Sequence, residues 1–256
     1  MIKEILVRLG QGHRTMKFPK GAPPALSRLF RGRPRVDAGA CEASCRSCAE
    51  ACPTGAIDPA TMTVDMGRCL FCGECAACCP RNAISFTDDY RLAARSRADL
   101  LVAPGQQEAV LAAELDRKMK RLFGRSLKLR QVSAGGCGAC EADTNVLNTI
   151  GWDLGRFGIQ FVASPRHADG LLVTGPVTCN MELALRKTWD AMPAPKLVIA
   201  VGSCAISGGP YASIGENSGG VESLLPVDLF IPGCPPHPLT ILDGLLRLLG
   251  KIERGR

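Results

Sequence analysis

In the second half of the chain, short runs of aliphatic and β-branched residues alternate with longer amphipathic stretches. The apolar runs, which predict strands, cover residues 129–133, 159–163, 171–174, 197–201 and 229–231. Helical patterns begin near Glu141, Met181 and Leu239. Such alternation is typical of a parallel sheet with helices on its faces, so residues 127–256 are predicted to form an α/β domain.

The first half has a different pattern. Residues 18–34 are rich in Pro and Gly and show little periodicity, which predicts an N-terminal arm over residues 1–36. Apolar residues then recur at helical spacing, which predicts helices over 90–102 and 106–123. We therefore expect residues 89–126 to be a helical connector between two domains.

An internal repeat lies between the arm and this connector. Cys45, Cys48, Cys52, Pro53, Ala56 and Ile57 recur 27 positions later as Cys72, Cys75, Cys79, Pro80, Ala83 and Ile84. The spacing C-x2-C-x2-C-x3-C-P is the bacterial ligand run for [4Fe–4S] clusters. Zinc and unrelated buried thiols are the alternatives, but zinc motifs usually pair two C-x2-4-C units across a longer spacer. Residues 37–88 are thus predicted to form a small α+β domain like a bacterial 2[4Fe–4S] ferredoxin.

In two-cluster ferredoxins the fourth cysteine of each run ligates the other cluster. The predicted ligand sets are therefore Cys41, Cys45, Cys48 and Cys79 for one cluster, and Cys69, Cys72, Cys75 and Cys52 for the other. The first run departs from the pattern, because it has one extra residue between Cys41 and Cys45.

Four further cysteines follow predicted strands of the second half: Cys137, Cys140, Cys204 and Cys234. The carboxyl ends of parallel strands meet at one edge of a sheet, where ligands gather. This placement predicts a third cluster. A thioredoxin-like redox pair is the alternative for Cys137 and Cys140.

Other residues near these motifs have open roles. Glu141, directly after Cys140, is a candidate proton relay or a helix cap. Arg156 and Arg166 are candidates for hydrogen bonds to cluster sulfurs or for partner docking. Cys78 is expected in the core, and Cys179 at the same sheet edge as the dispersed set. His13, His167 and His237 are too scattered for a histidine metal site.

Composition narrows the class of protein. The 256 residues carry a formal charge of +7, but three clusters of about 2− each bring the loaded protein near +1, so a nucleic-acid partner is not expected. Many cysteines in an intracellular chain of this size indicate metal binding rather than disulfides. We see no signal peptide and no apolar run of roughly 20 residues, so a cytoplasmic location is expected, with membrane attachment through partners.

These motifs resemble a known family. The stretch from Cys137 through RFG (156–158), PRHAD (165–169), GSC (202–204) and PGCPP (232–236) resembles the small subunit of energy-converting [NiFe] hydrogenases and its homologue in respiratory complex I. The segments FRGRP (30–34), CLFCGECAACCP (69–80) and DDYRLA (88–93) resemble the ferredoxin-type subunit of formate hydrogenlyase. The two are joined in this chain.

The resemblance implies a flavodoxin-like fold for the second half. It also implies that Cys137, Cys140, Cys204 and Cys234 hold a proximal [4Fe–4S] cluster beside an active site in a separate large subunit. The chain would be an electron-transfer subunit with three [4Fe–4S] clusters and no catalytic residue of its own. Its implied partners are a [NiFe]-hydrogenase-like large subunit, membrane subunits, and a formate dehydrogenase or soluble donor, at the cytoplasmic face of the inner membrane.

One detail separates branches of the family. Complex I homologues carry two adjacent cysteines at the first ligand position, whereas Cys137 and Cys140 form a separated pair, as in hydrogenase-type subunits. A hydrogenase-type partner is therefore favoured. A complex I-like, quinone-reducing partner without nickel is the alternative, and a free ferredoxin-like carrier is an alternative of another class.

Overall fold

The computed structural model describes residues 2–12, 14–42, 45–106 and 110–252. Helix α1 (Ile2–Gln11) comes first, and the described residues between it and Pro34 form an arm without helix or strand. The region after the arm contains β1 (Pro34–Val36), α2 (Ser47–Glu50), β2 (Ile57–Asp58), β3 (Thr63–Asp65), α3 (Glu74–Ala77), β4 (Ile84–Phe86) and β5 (Leu101–Val102). We call residues 34–102 the cysteine-repeat region.

The internal repeat is also a repeat of local structure. Helix α3 lies 27 positions after α2, and β4 begins 27 positions after β2. Strand β1 pairs with β4 in an antiparallel two-stranded sheet, and β2, β3 and β5 form an antiparallel three-stranded sheet. The equivalent residues Ile57 and Ile84 are both buried. Each copy of the repeat therefore contributes one short helix and one strand with a buried anchor.

The predicted helical connector is wrong over most of its length. Of the described residues in 89–126, only α4 (Arg117–Phe123) is an α-helix, and Ala98–Leu100 is a single 3₁₀ turn. Leu101 and Val102 instead pair with β3, which gives their backbone groups sheet partners. Pro104 and Gly105 then break the apolar stripe, because proline has no amide proton to donate and Gly105 adopts a positive φ. Residues 107–109, within the second predicted helix, lie outside the described residues.

The α/β prediction for the second half is confirmed. Its elements are β6 (Leu127–Ser133), α5 (Ala139–Val146), β7 (Ile159–Phe161), β8 (Gly170–Thr174), α6 (Cys179–Asp190), β9 (Leu197–Val201), α7 (Ser203–Ser207), β10 (Leu229–Ile231) and α8 (Pro238–Leu248). All neighbouring strands are parallel, in the order β10-β9-β8-β6-β7. Counted within this half, the order is 2-1-3-4-5, that of flavodoxin. We call residues 127–249 the sheet domain.

The middle of this sheet is covered on both faces. Every residue of β8 and β9 is buried, as expected for central parallel strands with helices on either side. All eleven residues of α8 are buried too, including an ion pair between Asp243 and Arg247, whose Nε donates to Oδ2 at 2.8 Å. The sheet domain thus has an extensive buried core.

The two regions also share packing. One hydrophobic cluster contains Val36, Ile57 and Ile84 together with Val173 and Phe230 of the sheet domain. Ala94 and Phe230 exchange backbone hydrogen bonds of 3.0 and 2.8 Å. The cysteine-repeat region is therefore fixed against the sheet. Among the described residues, no helix is long and apolar enough to cross a bilayer.

Candidate iron–sulfur sites

The dispersed cysteines lie where the strands of the sheet domain end. Cys137 and Cys140 follow β6, Cys204 follows β9 in the first turn of α7, and Cys234 follows β10. Gly202 turns the chain between β9 and α7 with a φ of +90°, and a Cβ placed there would lie 2.5 Å from the Cys140 sulfur. The end of β9 therefore approaches Cys140 so closely that only glycine fits.

The electrostatics of these thiols shows that they converge. Burial raises the pKa of Cys140, and the neighbouring Cys204, Cys234, Glu141 and Cys137 raise it further. Burial raises the pKa of Cys204 to about 11, with contributions from Cys234 and Cys137. All fourteen cysteines are free thiols. Four soft sulfur donors at one sheet edge are the donor set that an iron–sulfur cluster requires.

The cysteine-repeat region brings the second predicted ligand set together. Burial raises the pKa of Cys69 to about 12, and the neighbouring Cys75, Cys52 and Cys72 add to the shift. The pKa of Cys75 is raised to about 11, first by burial and then by Cys52, Cys72 and Cys48. Cys52 thus lies with the cysteines of the other run.

The first predicted set is brought together in part. Burial raises the pKa of Cys48, and the neighbours that add to the shift are Cys41 and Cys79. Cys79, the last cysteine of the second run, therefore lies with cysteines of the first. Cys45 Sγ lies 3.6 Å from the Ser47 hydroxyl. The loop with the extra residue includes positions 43–44, which lie outside the described residues.

Backbone amides donate hydrogen bonds to three of these sulfurs. The cysteine spacing did not predict these bonds. The amides of Ala56 and Ala83, equivalent positions of the repeat, donate to Cys52 Sγ at 3.2 Å and Cys79 Sγ at 3.3 Å. The Phe71 amide donates to Cys69 Sγ at 3.3 Å. Hydrogen bonds to sulfur favour the thiolate and raise cluster potentials. The recurrence of Ala56 as Ala83 was the available signal, because each follows its cysteine by four residues.

The dispersed set and the second set are neighbours. Cys72 is one of the charges that raise the pKa of Cys234, after burial and Cys137. Ser203, which precedes Cys204, donates its hydroxyl to the Cys69 carbonyl at 2.6 Å. A cavity of about 210 Å³ beside Cys234 is lined by Phe71 of the cysteine-repeat region, by Asp143 and His237 of the sheet domain, and by Phe30 and Arg31 of the N-terminal arm. The contact between the two regions is therefore built around these cysteines.

Glu141 is held by the sheet. Its carboxylate accepts a hydrogen bond of 2.6 Å from Thr174 Oγ1 at the end of β8. Burial alone raises the pKa of Glu141, but hydrogen bonds from Ser133 and Thr174 outweigh burial and hold the pKa below its ordinary value. These hydrogen bonds fix the Glu141 carboxylate beside Cys140 at the end of β8, and its role as proton relay or helix cap stays a prediction.

The two candidate arginines are placed differently. Arg156 donates to the carbonyls of Met16 and Phe18, the latter at 2.8 Å, and so holds the N-terminal arm on the sheet domain. Arg166 is exposed on the 3₁₀ turn Pro165–His167 that follows β7. The contacts of Arg156 are thus those of a structural residue, whereas Arg166 stays a surface candidate.

The leftover cysteines and histidines are also located. Cys78 is exposed, so the prediction that it lies in the core is wrong; it is at the C-terminal end of α3, where its neighbour Cys79 turns inward. Cys179 is exposed at the first residue of α6. His237 caps α8 by accepting from the Leu239 amide at 3.1 Å. His13 lies outside the described residues. Within 2–12, 14–42, 45–106 and 110–252, no group of three or more His, Cys, Asp or Glu side chains is close enough together to hold a single metal ion.

Known proteins match the sheet domain. The family described as the NADH ubiquinone oxidoreductase 20 Kd subunit matches residues 137–248. A probable membrane-bound hydrogenase subunit of Pyrococcus furiosus is 38% identical over 134 residues, which are 52% of this chain and 80% of that protein. The chain belongs to this family.

Two further relatives are named as subunits of two different complexes. Formate hydrogenlyase subunit 7 of Escherichia coli is 40% identical over 57% of this chain and 56% of its own length. An NADH-quinone oxidoreductase subunit of Heliobacterium modesticaldum is 40% identical over 47% of this chain and 69% of its own length. These family members are subunits of oxidoreductase complexes.

Proposed function

We propose that this chain is an electron-transfer subunit of a membrane-associated oxidoreductase complex of the hydrogenase, formate hydrogenlyase type, and that it carries three [4Fe–4S] clusters. The observation that carries the proposal is the convergence of Cys137, Cys140, Cys204 and Cys234 at one sheet edge, beside Cys72 of the repeat. Each cluster would supply one-electron transfer when bound. The chain would be one part of an enzyme and would not turn over substrate alone.

The cysteine neighbours support an order for the electron path. Cys48 influences the pKa of Cys75, which links the first ligand set to the second. Cys72 influences the pKa of Cys234, which links the second set to the dispersed set. The path would therefore run from Cys41, Cys45, Cys48 and Cys79, through Cys52, Cys69, Cys72 and Cys75, to the sheet edge. Ser203 would keep the last two sets in register through its bond to the Cys69 carbonyl.

The sheet-edge set would face the partner that holds the active site. Cys137 and Cys234 are exposed, as expected if a large subunit covers this edge in the complex. The separated pair Cys137 and Cys140 favours a nickel–iron large subunit. Membrane subunits and a formate dehydrogenase or soluble donor would complete the complex at the cytoplasmic face of the inner membrane.

A complex I-like, quinone-reducing complex without nickel is the second candidate. It is favoured by the 40% identity to the NADH-quinone oxidoreductase subunit of Heliobacterium modesticaldum. The nickel content of the complex, purified anaerobically through a tag on this chain, separates the candidates. Stoichiometric nickel with hydrogen-dependent viologen reduction would support the hydrogenase type, and iron-loaded complex without nickel would support the quinone type.

The test of the relay uses Cys234→Ser in that complex. Loss of one thiolate should remove the sheet-edge cluster, lower the iron content by about four atoms per chain, and cut hydrogen-dependent viologen reduction at least about tenfold. Electron paramagnetic resonance should still detect the two clusters of the repeat. Cys179→Ser is the matched control, because Cys179 is an exposed cysteine of the same domain outside every predicted set.

Two results would contradict the relay. Cys234→Ser complex with unchanged iron content would show that Cys234 is not a ligand. Full activity after loss of the sheet-edge signal would show that electrons take another path.

A further inference from the structure

Helix α1 is amphipathic and is exposed along its whole length in the described part of the chain. None of its ten described residues is buried, although five of them are large and apolar. Their side chains are 57–77% exposed: Ile2, Ile5, Leu6, Val7 and Leu9. Single exposed apolar residues are common, but a contiguous group of this kind marks an interaction surface.

Four of the five apolar residues share one face. Successive residues of a helix are about 100° apart, so Ile2, Ile5, Leu6 and Leu9 fall within an arc of about 100°. Val7 lies outside this arc, among the positions of Lys3 and Gln11. We call the four-residue arc the apolar face of α1. A helix of only ten residues is marginal in water, so α1 gains stability when this face is covered.

The charge of residues 2–20 indicates which kind of surface the apolar face of α1 would contact. Residues 2–20 contain five basic side chains and one acidic side chain, which gives the segment a net charge of about +4; the basic residues are Lys3, Arg8, Arg14, Lys17 and Lys20, and the acidic one is Glu4. An apolar face beside clustered lysine and arginine is the pattern of helices that lie in the headgroup region of anionic membranes. At about 1.5 Å per residue α1 is about 15 Å long, half the thickness of the hydrocarbon layer, so it is suited to lie along the surface.

The arm is attached to the sheet domain a few residues after α1. The Met16 amide donates to the Gly151 carbonyl at 2.9 Å, and Arg156 donates to the Met16 and Phe18 carbonyls. Only residues 12–15 separate this fixed point from the helix. A membrane contact made by α1 would therefore hold the sheet domain close to the lipid surface.

We propose that α1 binds the surface of an anionic membrane through its apolar face and the basic residues that follow it. The chain then makes a lipid contact of its own, in addition to any attachment through partner subunits. The proposal is independent of the iron–sulfur function, since vesicle binding does not require electron transfer.

The test is flotation of the purified, cluster-loaded chain with vesicles of phosphatidylcholine, with or without phosphatidylglycerol. The chain should float with the anionic vesicles and bind neutral ones at least about tenfold more weakly. Leu6→Glu, on the apolar face, should bind anionic vesicles at least about tenfold more weakly than Val7→Glu, the matched control. Both variants replace an exposed aliphatic residue with glutamate and therefore add the same charge. Neither residue is buried, so the absorbance of the bound clusters should be unchanged.

Four results would overturn the proposal. The first is a chain that does not float with anionic vesicles. The second is equal binding of Leu6→Glu and Val7→Glu, which would show that the apolar face is not used. The third is equal binding to neutral vesicles, which would remove the role of the basic residues. Protection of α1 from hydrogen exchange only in the assembled complex, without vesicles, would instead assign the face to a protein partner.

Discussion

The cysteine-repeat region and the sheet domain are stabilised in different ways. In the described part of residues 34–102 the strands are two or three residues long and α2 and α3 have four residues each, whereas β8, β9 and α8 of the sheet domain are buried along their whole length. The repeat region places nine cysteines, eight of them predicted ligands, among these short elements. Small folds with little apolar burial need staples such as metal sites. The comparison indicates that bound iron would be part of the fold in one region and an addition to it in the other.

Removal of iron should give the largest difference between the cysteine-repeat region and the sheet domain. After anaerobic chelation, amides of the repeat region such as Val36 and Ile84 should lose more than about a hundredfold of their protection from hydrogen exchange, because metal binding is coupled to folding in small metal domains. Amides in the middle of β8 and β9 should change by less than about tenfold. Hydrogen exchange with mass spectrometry measures both in one sample.

The hydrophobic cluster shared by the two regions should carry part of the effect of iron removal into the sheet domain. Val173 and Phe230 pack with Val36 and Ile84, so residues on that face of the sheet domain should show an intermediate loss of protection. Equal loss in both regions would show that they unfold as one cooperative unit. Equal retention would show that the repeat region folds without iron and that iron stabilises neither region more than the other.

An element of this protein is predictable from the sequence where residues close to it in the chain determine its structure. The runs that became β8 and β9 are apolar throughout and stand between turn signals, so the strands and the cysteines after them followed from the sequence. Leu101 and Val102 have the same apolar character but belong to a helical stripe, and only pairing with β3, nearly 40 residues earlier, decides their state. The bond from Ser203 to the Cys69 carbonyl joins residues 134 positions apart and has no sequence signal.

Gly202→Ala should separate the two kinds of cluster site. The added methyl group would meet the Cys140 sulfur at 2.5 Å, and the φ of +90° is strained for any residue with a side chain. We expect the variant to lose the sheet-edge cluster, with about four fewer iron atoms per chain, while the repeat region keeps its clusters. Iron analysis and electron paramagnetic resonance measure the change.

Gly219→Ala is the matched control for this variant. Gly219 also has a positive φ, of +72°, but nothing lies within 4 Å of its added Cβ. The control should cost about 1–2 kcal/mol of backbone strain and leave the iron content unchanged. Iron loss of similar size in both variants would attribute the effect to strain in the sheet domain rather than to the contact with Cys140.

Ser203→Ala should have the smallest effect and should sharpen the comparison at the contact between the two regions. Ser203 is buried, and the variant would lose the hydrogen bond from its hydroxyl to the Cys69 carbonyl, leaving that acceptor unpaired at a cost of about 1–3 kcal/mol. For a chain of this size each kcal/mol lowers the thermal midpoint by roughly 2–4 °C. Ser223→Ala removes a bond of 2.8 Å to the nearby Gly220 carbonyl and serves as the control within one region. The thermal midpoint is measured both by cluster absorbance and by circular dichroism. A larger drop of the midpoint for Ser203→Ala in both signals would show that the contact between regions stabilises both. If only the cluster absorbance is lost early, the sheet domain is stable without that contact, as its buried strands imply.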